Sequence, residues 1–233
     1  MTDFNNILKN NLVRISPHFH HEKLKIIEKK LKDRNVWIPA NSIFKISGGG
    51  SASEGRVYSE DATEYLYLRP AEVNIQGIDK NKLPCLSAEI YNQLKKHKII
   101  SGELCVSIAG TLGKTALIDT KNLEMNEENL ILSNNFIKLT PKKNVSVLFY
   151  FYYFWSFIFQ VQANRECTIT TIKKLGIDKW NYIKVPNIPL PEQKRIVAEI
   201  KNELDKQEEV KKKIESERNK IDDIIGFRLE KFN

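Results

Sequence analysis

The last quarter of the chain limits the choice of fold most. From Ile188-Pro-Leu-Pro-Glu-Gln-Lys-Arg-Ile-Val-Ala-Glu-Ile200 onward to Asn233 it reads as one long, charged, amphipathic helix. Pro191 suits the first helical position, where a missing N–H costs nothing, and Glu192 sets negative charge against the positive helix end. The inward positions advance by threes and fours through Ile200, Leu204, Gln207, Val210, Ile214, Glu217, Ile221, Ile224 and Arg228. That is a heptad seam, and the repeated step of three into Val210 marks a stammer, a local overwinding of a coiled coil. No Gly or Pro falls between Glu192 and Ile225, so the helix is expected to run on the order of 50 Å. Regular pairing is expected to stop near Gly226. A helix of that length with an apolar stripe needs a partner.

The remaining part of this 233-residue chain is long enough for one globular domain with a substantial core. Charge separates the two parts. Residues 188–233 hold eleven Lys/Arg against eleven Asp/Glu, leaving 26 basic and 18 acidic residues in 1–187, so the whole formal +8 belongs to the first part. A basic head joined to a neutral arm fits a polyanion-binding domain with a protein-binding appendage. Three widely separated cysteines, Cys85, Cys105 and Cys167, fit a reducing cytoplasm and form no C-x-x-C metal site. The N-terminus lacks the pattern of a signal peptide. The most apolar run, Leu148 to Phe159, falls short of the roughly 18 residues that span a bilayer. The expectation is a soluble cytoplasmic protein.

Along the head, residues 22–34 place Leu24, Ile27 and Leu31 on one face of a short helix. The preceding His18, His20 and His21 lack the carboxylates or thiolates that would complete a metal site. Trp37 to Ser47 alternates like a strand and enters Ser47-Gly-Gly-Gly-Ser-Ala-Ser-Glu-Gly-Arg-Val-Tyr58, either a mobile loop offering Arg56 and Tyr58 to a surface or a plain linker. Tyr65 to Arg69 reads as a strand, and 88–98 as a helix capped by Ser87. Of its terminal Lys95, Lys96 and Lys98, two complement the helix dipole and the rest can meet phosphate. Ile100 to Ile118 reads as strand, glycine turn, strand. Its centre, Gly110-Thr-Leu-Gly-Lys-Thr115, fails as a nucleotide-binding P-loop because Ile108 stands where the first glycine belongs. A hairpin tip presenting Thr111 and Lys114 is the better account. A strand from Asn135 to Thr140 leads to Lys142 and Lys143. The aromatic run 148–159 reads as a buried helix after a cap at Asn144 or Ser146, and Thr168 to Gly176 as a short helix. Trp180 to Val185 is expected to be extended.

The order of these motifs resembles the DNA-specificity (S) subunit of type I restriction-modification systems, in its form with a single target recognition domain. Five stretches carry the resemblance: Trp37 with the glycine-rich loop, Tyr67-Leu-Arg69, Gly102 to Lys114, Thr168 to Leu175, and above all Ile188-Pro-Leu-Pro-Glu-Gln-Lys-Arg-Ile-Val197. Glu166-Cys167-Thr168 departs from the family pattern, in which a glycine commonly precedes the short helix. The start, Arg14 to Leu24, also resembles the entry to the recognition domain of single-chain restriction-methylation enzymes.

The resemblance implies an α+β fold, with a mixed α/β recognition domain over 1–187 and a spacer and dimerisation helix over 188–233. It implies no catalysis, metal or cofactor in this chain. No amino-methyltransferase Asn/Asp-Pro-Pro-Tyr/Phe motif occurs, and Glu199-Ile-Lys201 and Glu209-Val-Lys211 lie on the charged helix rather than in a nuclease sheet. The expected partners are double-stranded DNA, a methyltransferase subunit, a restriction/translocase subunit through the complex, and a second copy. Arg56, Tyr58, Arg69, Thr111 and Lys114 are the candidate base-contacting residues, with Lys95, Lys96, Lys142 and Lys143 on phosphate. Ile200, Leu204, Val210, Ile214, Ile221 and Ile224 are the candidate pairing positions. The rival readings are a detached recognition domain of a single-chain enzyme, an adaptor whose basic head binds acidic protein, and a nucleotide-hydrolysing enzyme.

Overall fold

The structure is a computed structural model that describes residues 36–51, 63–124, 126, 129–169 and 173–229, together with Ile26 and Lys29. The histidine cluster, Arg56 and Tyr58 lie outside these residues. So does the helix expected over 22–34, apart from Ile26 and Lys29, which are both helical. The chain divides into two compact units, Met1–Ile188 and Pro189–Asn233.

The first unit opens with β1 (Trp37–Pro39) and β2 (Phe44–Gly48), which a 3-10 turn at Ala40–Ser42 separates. One continuous strand was expected there. Next come β3 (Leu66–Leu68) and a two-strand hairpin, β4 (Val73–Asn74) and β5 (Gly77–Ile78). Helix α1 (Ala88–Leu94) starts where expected, because the Ser87 hydroxyl accepts from Ile90 N–H at 3.3 Å. Strands β6 (Leu104–Ser107), β7 (Thr115–Leu117), β8 (Leu130–Leu132) and β9 (Phe136–Pro141) follow.

The central sheet is antiparallel with order β2-β9-β6-β7, and β8 pairs in parallel with β3 beside it. All four residues of β6 are buried, so both faces of the sheet's interior are covered. One cluster joins Cys105 and Ala116 of the sheet to Leu68, Val73, Leu83, Ile99 and Leu130.

The aromatic run forms α2 (Val147–Trp155), with Ser146 as cap to Phe149 N–H. One helix was expected over 148–159, but α2 stops at Ser156, whose backbone is extended, and a second helix, α3 (Phe157–Glu166), follows. The rings pack as edge-to-face pairs, with Phe44 5.0 Å from Tyr150 and Phe154 5.0 Å from Phe159, and Trp180 beside both Phe154 and Phe159. Their polar tips are satisfied on β12 (Lys184–Pro186). Tyr150 Oη donates to Pro186 O at 2.9 Å and Tyr153 Oη to Lys184 O at 2.6 Å. Strand β12 pairs with β1, and a 3-10 turn at Ile177–Asn181 precedes it where an extended run was expected.

One expected element changes type. Thr168 to Gly176 was read as a helix, but β10 (Thr168–Ile169) and β11 (Lys173–Lys174) pair antiparallel. The β-branched Thr168 and Ile169 favour an extended backbone. Lys173 and Leu175 also find backbone partners on the β6–β7 turn, which a helix would leave unpaired.

The second unit is α4 (Leu190–Leu229), 40 residues and roughly 60 Å long. It begins one residue earlier than expected, so Pro191 takes the second position, and its backbone continues through Gly226. Glu192 and Gln193 N–H both bond Pro189 O at 3.0 Å. Ion pairs run along its surface, as at Arg195–Glu192 and Arg195–Glu199. Arg195 holds the Glu192 carboxyl below its ordinary range.

Candidate nucleic-acid interface

Strand register gathers several turns at one end of the central sheet. Gly48 lies opposite Ile137, Ser107 opposite Phe136, and Val106 opposite Thr115. The end of β2, the end of β6, the start of β7 and the start of β9 therefore meet there.

The glycine run leaving β2 is packed at this end. Gly50 N–H bonds Leu132 O at 2.8 Å, and Gly49 N–H bonds Phe136 O at 3.1 Å. A Cβ on Gly49 would stand 1.9 Å from Ser133 O, and one on Gly50 would stand 2.7 Å from the His97 ring. These glycines serve close approach rather than left-handed turning. Tyr67 Oη donates to Gly50 O at 2.9 Å, and His97 Nδ1 lies 3.0 Å from Gly48 O. The linker reading fails for Gly48 to Gly50.

The β6–β7 turn is closed by Ser107, whose hydroxyl donates to Thr111 O at 2.6 Å and accepts from Lys114 N–H at 2.8 Å. Gly110 and Gly113 adopt the left-handed conformation that this turn needs, with φ of +72° and +79°. Thr111 is exposed at the tip. Lys114 is half-buried and turned inward, its Nζ donating to Pro70 O at 2.8 Å.

Ile108 joins this turn to two others. Its N–H bonds Asn135 O at 2.8 Å, and its carbonyl accepts from Leu175 N–H at 2.8 Å. Gly110 N–H bonds Lys173 O at 3.1 Å. The sheet end therefore carries exposed Thr111, Asn134, Asn135, Lys173 and Lys174. Sequence reasoning missed four of these. The Asn-Asn turn dipeptide could have flagged the first pair, whereas the lysine pair was concealed by the helix assignment.

The other expected contact residues divide. Arg69 forms a fork on the buried carboxylate of Glu72, with Nη2–Oε1 2.5 Å and Nε–Oε1 3.1 Å, and its backbone N–H also donates there. Lys95 and Lys96 are exposed beside His97 and so flank the glycine run. Lys142 and Lys143 follow the opposite end of the sheet, where Pro141 faces Phe44, and Lys142 Nζ donates to Asn41 O at 2.7 Å.

Among the described residues no group of three His, Cys, Asp or Glu is placed to hold a metal ion. The thiol of Cys105 is buried and pushed up to about 12, which keeps it protonated and unreactive. No helix of the described residues is long and apolar enough to cross a membrane.

On α4, Leu204, Val210, Ile214, Ile221 and Ile224 are all exposed, the last at 62%, and Ile200 is half-exposed.

Residues 37–218 match the family model described as the type I restriction modification DNA specificity domain. The chain belongs to this family. Its fold is similar to those of solved structures from restriction-modification systems. One comes from work on complex assembly and conformational transition of the type I R-M system, at 15% identity and TM-score 0.53, covering 82% of this chain and 47% of that one. Another is the HsdS subunit from Thermoanaerobacter tengcongensis, at 15% identity and TM-score 0.50, covering 82% and 46%. The type IIG restriction endonuclease BpuSI also shares the fold, at 11% identity and TM-score 0.52, covering 78% of this chain and 28% of that one. The chain thus spans less than half the length of each of these structures. No curated protein matches it.

Proposed function

We propose that the chain is a non-catalytic specificity subunit that reads one half of a bipartite duplex target. Its sheet-end turns meet the DNA, and the helix from Leu190 pairs with a second copy and docks a methyltransferase subunit. A restriction/translocase subunit joins through that complex, and the assembly works in the cytoplasm. Two copies related by a two-fold axis would read a palindrome interrupted by a spacer. Residues 1–187 form the recognition domain, and 188–233 the spacer helix.

The observation that carries this reading is the meeting of the glycine run, the β6–β7 and β8–β9 turns and strand β11, with exposed Lys173, Lys174, Thr111, Asn134 and Asn135, at one end of the sheet. Lysines anchor a phosphate backbone while short polar side chains reach base edges. Arg56 and Tyr58, outside the described residues, stay proposed as base contacts, and Lys95 and Lys96 as phosphate contacts. Arg69 and Lys114 act on the same surface by holding its turns. Lys142 and Lys143, at the far end, would meet only DNA that extends past the half-site.

The test is duplex binding followed by fluorescence anisotropy across a salt series. The full chain should bind random duplex weakly and its target tightly, with affinity falling steeply as salt rises. Lys173→Ala/Lys174→Ala should weaken both and flatten the log–log salt slope by about 2, roughly 1 for each lost phosphate contact. An unchanged slope would move the interface elsewhere on the head, and no retention of duplex at low salt would favour the acidic-protein adaptor.

A further inference from the structure

The turn joining β8 to β9, Ser133-Asn134-Asn135-Phe136, carries two side chains that the fold does not use. Phe136 N–H closes it on Ser133 O at 3.0 Å. Among the described residues the only non-glycine with positive φ is Glu124, so both asparagines have ordinary negative φ. A turn of that kind accepts most residue types. The backbone therefore does not require asparagine at either position. Both side chains are exposed, and among the described residues neither side chain makes a hydrogen bond.

The backbone beneath them is held on three sides. Ser133 N–H bonds Leu68 O at 3.0 Å, Gly50 bridges to Ser133, and Ile108 N–H takes Asn135 O at 2.8 Å. Two short polar side chains thus stand on a turn that cannot shift without breaking strand pairing. Recognition gains from such a base, because little ordering remains to be done on binding.

Two lysines share an anchor with this turn. Ile108 N–H bonds Asn135 O and Ile108 O accepts from Leu175 N–H, both at 2.8 Å, so the asparagine turn and the strand carrying Lys173 and Lys174 are tied to the same residue. A carboxamide offers one acceptor and one donor in the spacing that adenine N6 and N7 complement.

We infer that the Asn134–Asn135 turn reads an adenine in the major groove through a paired carboxamide contact, while Lys173 and Lys174 hold the adjoining phosphates. This rests on the duplex-DNA reading above.

The experiment uses the full-length chain and a target duplex selected from a random pool. Each adenine is replaced in turn by 7-deazaadenine, which keeps base pairing but lacks the N7 acceptor. At one position wild type should lose affinity, and Asn134→Ala/Asn135→Ala should lose discrimination there by roughly 5- to 150-fold with no further loss from the analogue. Its salt slope should match wild type, whereas Lys173→Ala/Lys174→Ala should bind all sequences more weakly with a flatter slope. The inference is overturned if the asparagine variant keeps the wild-type preference at every position, or if the analogue still weakens it as it does wild type. If wild type retains no duplex at low salt, the DNA reading falls and takes this inference with it.

Discussion

Arg69 shows how a residue chosen for binding can be committed to the fold. Glu72 is only 3% exposed, and Arg69 gives its carboxylate two side-chain N–H groups and a backbone N–H. Removing the guanidinium would leave a buried charge short of partners. Arg69→Ala should therefore cost about 2–4 kcal/mol in denaturant unfolding, and Arg69→Lys should recover only part, since an ammonium cannot form the fork. An alanine variant that unfolds like wild type but loses sequence discrimination would return Arg69 to base reading. Lys114 is committed in the same manner to Pro70. Both residues were legible in the sequence as cations near turns. Where their charges point was set by Glu72 and by the Pro70 carbonyl, neither of which a motif reveals.

Among the elements, those with strong local signals formed where the sequence placed them. Ser87 and Ser146 cap their helices, and the long helix has no interior breaker before Gly226. The hairpin at Thr168 to Lys174 did not follow its local pattern, because its bonds run to Ile108 and Gly110, more than fifty positions earlier. For α4 the exposed apolar stripe is the dominant feature. Burying about six Ile, Leu or Val side chains per helix at ~1.5–3 kcal/mol each gives on the order of 10 kcal/mol before entropy. Surface pairs such as Lys206–Glu203 and Lys220–Glu217 add at most about 0.5 kcal/mol each. Apolar contact therefore decides pairing. Ile214→Asp/Ile221→Asp should give a monomer mass by light scattering where wild type gives a dimer, and an unchanged dimer mass would exclude this stripe as the seam.

At the scale of the whole molecule, charge and architecture divide at the same place. The unit Met1–Ile188 holds the entire +8, and the helix beyond it is neutral. A chain ending at Ile188 should therefore bind random duplex with the salt slope of the full chain per head, while losing any dimer mass; a slope that falls by half or more would place phosphate contacts on the helix. The sequence by itself determined the α+β class, the start of the long helix to within one residue, the Ser87 cap, the aromatic core and the charge division. Each depends on neighbours within a few positions or on composition. Only the tertiary structure decided that Gly49 and Gly50 pack against Ser133, that Lys114 turns inward, that Lys142 and Lys143 sit at the far end of the sheet, and that Lys173 and Lys174 join the asparagine turn. Those placements follow from strand register, which pairs residues far apart in the chain and so leaves no local periodicity to read.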